Sequence, residues 1–419
     1  MNYVSEFDRA PEAKRFHLFR RWMNEDPVGV FAAFRDERPI VSTPVATLVF
    51  RYRDVVEALS NPTILTVKLY EPKMGNFMLC KDETITNTRD KGIMQAMLSR
   101  DDLTKVRALV GSLADAALDA ADDGGGGEIE VVHQLGRKVP VQLVEQYFGF
   151  ADLDHETMMR WSYNNQLDAF NNHPFNFQPN PDEIHAKAQQ SLEEMKNHLA
   201  QFLPRKAQSL QENPAQDDVV ARLLKTRFPA ELGFDGERLV TCIGGLLIGA
   251  VETTQQAVAQ IIDGLLKRPV HLEKARAAAL ADDDALFDRY VWETLRFDPI
   301  VKFMFRYAVQ DYTLAKGTDR AHTVQAGGIV LPITMSALFD PDEVPLPTEF
   351  NVQRQPAIDF HFGFGHHACL GRYVGGVMIP EIVKRVVRRD NLRALGPIDF
   401  KGTPFPEDYR LAYGGACSG

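Results

Sequence analysis

The feature that most limits how this chain can fold is the segment running from Asp235 to Arg268-Pro269. Asp235 can cap a helix by accepting from amides of its first turn, and a proline at 269 marks its stop. In between, the residues are mostly apolar from Leu239 to Val251 and keep a helical pattern. At 1.5 Å per residue the predicted helix is about 50 Å long, enough to cross the whole protein. Its apolar run is far shorter than the ~20 residues needed to span a bilayer.

The rest of the chain is expected to be mainly α with a small β portion. Leu103, Val106, Leu109, Val110 and Leu113 recur at three and four, which predicts a helix from about 101. Further helices are expected over 135–150 and 284–297, and after a glycine-rich turn at 363–371. Residues 156–210 read as two helices interrupted by the loop Asn171-Asn172-His173-Pro174-Phe175-Asn176-Phe177. Leu48 to Tyr52 is strand-like, and 305–335 reads as strands with a turn at Gly327-Gly328. Residues 63–100 look irregular. Asp122-Asp123-Gly124-Gly125-Gly126-Gly127 precedes strand-like Ile129, Val131 and Val132, so it reads as a loop between packed elements. Pro380 is expected to kink or restart the last helix. With no linker after about residue 40 and no internal repeat, one domain is expected over 1–419.

Charge and cysteine usage exclude several classes. A net charge of −10 speaks against a nucleic-acid surface. The opening Met1 to Asp8 is polar and reads as neither a signal peptide nor a membrane anchor, so a cytoplasmic protein is expected. Cys80, Cys242, Cys369 and Cys417 show no CxxC spacing, which argues against a disulfide framework, a structural zinc site or covalently attached haem.

The most informative segment is Phe362-Gly363-Phe364-Gly365-His366-His367-Ala368-Cys369-Leu370-Gly371. Its spaced glycines allow tight turns that bring amide N–H groups close to one point. A cysteine placed there, at the start of a helix, is expected to have a lowered pKa and to favour the thiolate. Such a thiolate can ligate haem iron and push electron density onto it. A zinc reading of His366, His367 and Cys369 lacks a fourth ligand at metal spacing.

This segment resembles the haem-binding loop of the cytochrome P450 family, Phe-Gly-x-Gly-x-His-x-Cys-x-Gly, at Phe362, Gly363, Gly365, His367, Cys369 and Gly371. The resemblance covers roughly residues 25–415 and is strongest over 235–375. It implies haem b with Cys369 as the axial thiolate. It also implies a monooxygenase that inserts one oxygen atom from O2 into a small organic substrate, by hydroxylation or epoxidation. The chain reads as having no fused flavin or iron–sulfur domain, so a separate ferredoxin or flavodoxin-type electron donor is implied. A peroxygenase or isomerase on the same haem, and a non-catalytic haem-binding module, are the alternatives.

The same resemblance assigns other positions. Glu293 and Arg296 match the Glu-x-x-Arg pair that supports the haem loop; on residues alone they are an ordinary surface ion pair. The family's second arginine of that network is replaced by Glu349 in Pro347-Thr348-Glu349-Phe350, with Arg354 close behind. Gly249-Ala250-Val251-Glu252-Thr253-Thr254 matches the pattern in which an acid and an alcohol deliver protons, with Ala250 in place of the usual second glycine. Without the resemblance, Glu252 would read as the solvent side of an amphipathic helix. Arg107 and Arg306 are expected at the haem propionates, with Leu103 where the family usually has histidine. Lys105, Arg372, Lys384, Arg385, Arg388 and Arg389 read either as a basic patch for an acidic electron donor or as a solvated helix face. Lys302, the one charge in Pro299 to Phe305, reads as a substrate carboxylate or phosphate partner or as a lysine reaching for solvent.

Overall fold

A computed structural model describes residues 2–82, 84–122, 124–354 and 359–414. Cys417 and Asp123 lie outside the described residues. Eight helices position the site: α1 (Thr84–Met97), α2 (Leu103–Asp119), α3 (His155–Asn171), α4 (Pro181–Glu212), α5 (Gly236–Ala250), α6 (Glu252–Leu266), α7 (Asp284–Phe297) and α8 (Arg372–Val387). Beside this helical body lies a five-stranded sheet. Its members are β1 (Ile40–Ser42), β2 (Thr47–Val49), β3 (Leu65–Thr66), β5 (Arg306–Ala308) and β8 (Ile329–Pro332), in the order β1-β2-β8-β5-β3. Only β2 and β8 pair in parallel, Leu48 facing Leu331. The pair β6 (Tyr312–Leu314) and β7 (His322–Val324) forms a separate ribbon. β10 (Arg410–Gly414) pairs with both β4 (Gly126–Glu130) and β9 (Arg393–Ala394).

Two apolar cores follow from this layout. One gathers α2, α3, α5, α6, α7 and α8 around residues such as Val110, Leu247, Ile261, Val291 and Ile382. The other packs the N-terminal helices on the five-stranded sheet, through Phe19, Phe31, Phe34, Phe50 and Leu331. Among the described residues no helix is long and apolar enough to cross a membrane.

Several expectations are corrected. The long central helix is two helices: α5 begins under its Asp235 cap, which accepts from the Arg238 amide at 3.0 Å, and ends at Ala250. Val251 lies outside both helices with ψ −68, and α6 restarts at Glu252. Pro380 neither stops nor restarts α8, which runs continuously from Arg372 to Val387. Val131 and Val132 belong to the helical turns that follow β4, not to the strand. Residues 63–100 carry β3, a short turn of helix at Glu71–Met74 and the whole of α1. Thr, Asn, Lys and Met give that helix no marked apolar stripe, which is why the pattern hides it.

Candidate active site

The loop 362–371 sits between β8's end of the molecule and α8, and its shape depends on two glycines. Gly363 and Gly365 have φ of +71° and +64°, where a side chain would be strained. The turn lets the Cys369 amide donate to the Phe362 carbonyl at 2.7 Å. The Gly371 amide donates to the Cys369 sulfur just before α8 begins. The Phe362 ring is held edge-on by Trp292 of α7, with centroids 5.4 Å apart. Cys369 therefore has a rigid seat with one donor on its sulfur.

Burial pushes the Cys369 thiol up, while the Gly371 amide, Lys91 and Arg372 pull it down. The lowered pKa expected from loop and helix is thus outweighed by desolvation in the protein alone. A cation held at the sulfur, such as a metal, reverses that balance.

Lys91 is the basic residue that sequence reasoning missed. It projects from α1 and its ammonium donates to the His366 carbonyl at 3.0 Å, next to the cysteine. Arg107, expected at the haem propionates, is engaged by three carboxylates. Its guanidinium is held by Asp288 at 2.9 Å, Glu381 at 3.3 Å and Asp284 at 3.5 Å, well along α8 from Cys369.

Arg306 on β5 is fully enclosed, and its single hydrogen bond runs from Nη1 to the Phe305 carbonyl at 2.8 Å. Nε and Nη2 have no partner. Burial lowers its pKa to about 10. His367 faces the same region: Nε2 is 3.0 Å from Asp82, while Nδ1 is buried without a partner. Unpaired buried donors are costly, so a guanidinium left with two free N–H groups calls for an acceptor the protein does not supply.

The acid–alcohol segment lies at the break between α5 and α6. Ile248 and Val251 are buried, yet Gly249 is exposed and Ala250 and Thr253 are partly so. A Cβ on Gly249 would meet nothing within 4 Å. The helix pair crosses the core and still leaves these residues facing open space. Thr253 Oγ1 donates to the Gly249 carbonyl at 3.0 Å.

Glu252 points elsewhere. Its carboxylate is buried and accepts from Arg137 Nε at 3.0 and 3.1 Å, Arg137 Nη2 at 3.0 Å and Gln255 at 3.2 Å. Arg137 also reaches Glu407 at 3.2 Å and lies over the Tyr163 ring. Burial pushes Glu252 up and Arg137 opposes it. Among the described residues no hydrogen bond joins Glu252 to Thr253, so the acid and the alcohol are neighbours in sequence but not in contact here.

The supporting ion network forms as the resemblance implies, buried and not on the surface. Arg296 donates twice to Glu293, at 2.9 Å each, and also to the Pro347 and Glu349 carbonyls. Arg354 supplies the third member at 3.6 Å from Glu293, while Glu349 contributes only its backbone. Four of the basic residues are paired with acids: Lys384 binds Asp282 and Asp284, Arg385 binds Glu381 and Asp115, Arg388 binds Asp282 and Arg389 binds Asp119. Lys302 lies 3.9 Å from Asp298, one turn back, an exposed pair of little consequence.

The site thus offers a cysteine with a donor on its sulfur, an acceptor-seeking arginine and an open space under a broken helix, which fits a flat, dianionic metallocofactor such as haem. Among the described residues there is no cluster of three or more His, Cys, Asp or Glu to hold a bare metal ion. The profile of the Cytochrome P450 family matches residues 129–394. Cyclomarin C epoxidase CymV from Salinispora arenicola is 25% identical over 94% of this chain and 95% of its own. Cytochrome P450 monooxygenase PikC from Streptomyces venezuelae is 26% identical over 83% of this chain and 79% of its own. In fold, the crystal structure of CalO2 matches with a TM-score of 0.76 at 19% identity, covering 93% of this chain and 96% of that one. The chain belongs to the cytochrome P450 family and is a haem-thiolate monooxygenase of it.

Proposed function

We propose that this protein inserts one atom of dioxygen into a small organic substrate, by hydroxylation or epoxidation, with electrons from a separate ferredoxin or flavodoxin-type donor. The observation that carries this reading is the α5–α6 break, which leaves the Thr253 hydroxyl partly exposed and turned onto the Gly249 carbonyl. The relatives support it in kind, since one is named an epoxidase and another a hydroxylase/epoxidase of mycinamicin IV.

When bound, the haem supplies the redox chemistry that activates dioxygen. The chain's residues have separable tasks. Cys369 would ligate the iron as thiolate, and the Gly371 amide beside its sulfur would tune how strongly it donates. Phe362, Gly363, Gly365 and Gly371 fix the loop, and Ala250 with Gly249 keeps the opposite wall low. Arg306, His367 and Lys91 hold the propionates. Thr253 holds a proton at Oγ1 and can turn it from the Gly249 carbonyl towards the open space. Glu252 stands behind it as the acid, and its hold on Arg137 must loosen for a proton to pass.

The electron donor meets the protein on the outer side of the cysteine loop. With the more distant lysine and arginines neutralised, the cations left there are Arg100 and Arg372, stacked at 3.9 and 5.9 Å from the Tyr373 ring centre. An acidic donor would be steered to them.

Turnover under labelled dioxygen tests the reading. One labelled atom per product is expected, and the Thr253→Ala variant should bind haem normally while about a tenfold larger share of electrons drains to hydrogen peroxide. Peroxide-driven turnover as fast as donor-driven turnover would favour a peroxygenase instead. Full coupling in Thr253→Ala would remove the proton role of that residue.

A further inference from the structure

The helix break has a support that its own sequence does not provide. In a continuous helix the Ile248 and Gly249 carbonyls would accept from the Glu252 and Thr253 amides. Here α5 ends at Ala250, and among the described residues no backbone amide donates to either carbonyl across the break. A buried carbonyl without a donor is unfavourable, so the broken form persists only if other donors replace the amides. Thr253 does so for Gly249. For Ile248 the donors come from another helix: Gln166 Nε2 at 2.5 Å and Ser162 Oγ at 3.2 Å, both from α3 and both buried.

Those two residues are one helical turn apart, so they present amide and hydroxyl to the same carbonyl. Neither is needed to hold α3 itself. Polar residues buried between two apolar helix faces would ordinarily be replaced by leucine or alanine without loss. Their retention has a use if the Ile248 carbonyl must be kept out of the helix ladder. The clamp also reaches the far side of α3. Two residues after Gln166, the buried Asp168 carboxylate accepts from Lys73 Nζ at 2.7 Å, His185 Nδ1 at 2.8 Å and Asn172 Nδ2 at 2.8 Å. Lys73 belongs to the turn Glu71–Met74 and His185 to α4, so one stretch of α3 ties two neighbouring elements to the break.

We propose that Ser162 and Gln166 are positioning residues that hold the α5–α6 break open, and so place the Thr253 hydroxyl for proton delivery, by occupying the Ile248 carbonyl. The proposal rests on the monooxygenase reading only for its effect on turnover; the clamp itself is a statement about the backbone. With the clamp removed, the Ile248 carbonyl takes the Glu252 amide, the helix closes across Val251, and the hydroxyl loses its place beside Gly249.

Hydrogen exchange on the haem-loaded protein reads this directly. In the native protein the amides of 252–254 lack carbonyl partners and exchange fast. In the double variant Ser162→Ala, Gln166→Met they are expected to slow by about tenfold or more as the helix closes. The carbon monoxide spectrum should stay unchanged, and the share of electrons lost to peroxide should rise as in Thr253→Ala. If the double variant does not load haem, Ser162→Ala alone, which removes the longer bond, should show the same slowing to a smaller extent. Unchanged exchange at 252–254 in a variant that loads haem overturns the clamp, whatever Thr253→Ala does. Slowed exchange without extra peroxide keeps the clamp and overturns its link to proton delivery.

Discussion

Replacing Arg137 by methionine is expected to destabilise the fold by about 3–5 kcal/mol, more than any surface change in this chain. The Glu252 carboxylate it serves is fully buried, and three of the four hydrogen bonds described above come from that one guanidinium. Removing it strands a charge at the buried start of α6, where only the Gln255 amide remains. Burial already pushes Glu252 up, and losing Arg137 pushes it further in the same direction. Its folded pKa then lies above the unfolded value, and the variant should regain stability as pH falls through the folded pKa, the opposite of ordinary acid sensitivity. The double variant Arg137→Met, Glu252→Gln should recover much of the loss at neutral pH, because no charge is left unpaired. Urea unfolding of the three proteins at two pH values checks the sign and the rescue. Equal loss in single and double variants would mean that packing of Arg137 on Tyr163, not the ion pair, is what matters.

Arg306→Leu should act in opposite directions on the haem-free and haem-loaded protein. Without haem, the change removes a buried guanidinium with two unpartnered groups and relieves about 1–3 kcal/mol of desolvation. With haem, it removes charge-assisted bonds of about 1.5–3 kcal/mol each, so haem retention should fall by roughly 10–100-fold. Thermal melting of the haem-free form and the rate of haem transfer to a scavenging protein separate the two effects. A variant whose haem-free form is also destabilised would show that Arg306 supports the sheet, not the cofactor.

What the sequence made legible follows from how local each signal is. The 362–371 loop could be read directly, because its glycines and its cysteine act over a few residues and tolerate few substitutes. Glu293 and Arg296 were legible only through the resemblance, since a pair one helical turn apart reads by itself as an ordinary surface ion pair. The break at Val251 was not, since no proline or capping signal stands there and the cause lies in donors from α3, distant in sequence. Lys91 was overlooked because the helix that carries it, α1, is polar and patternless. The pairing of Glu252 with Arg137, and the neutralisation of Lys384 and Arg388 by Asp282, are likewise tertiary facts that charge counts along the chain do not contain.

The most direct test is the visible difference spectrum of the reduced protein with and without carbon monoxide, taken on the native chain and on Cys369→His. The native protein should give the strongly red-shifted Soret band of thiolate-ligated haem, and the variant a band at the ordinary imidazole-ligated position. A native band already at the imidazole position would contradict Cys369 as the ligand, and a native protein that takes up no haem would contradict the account as a whole.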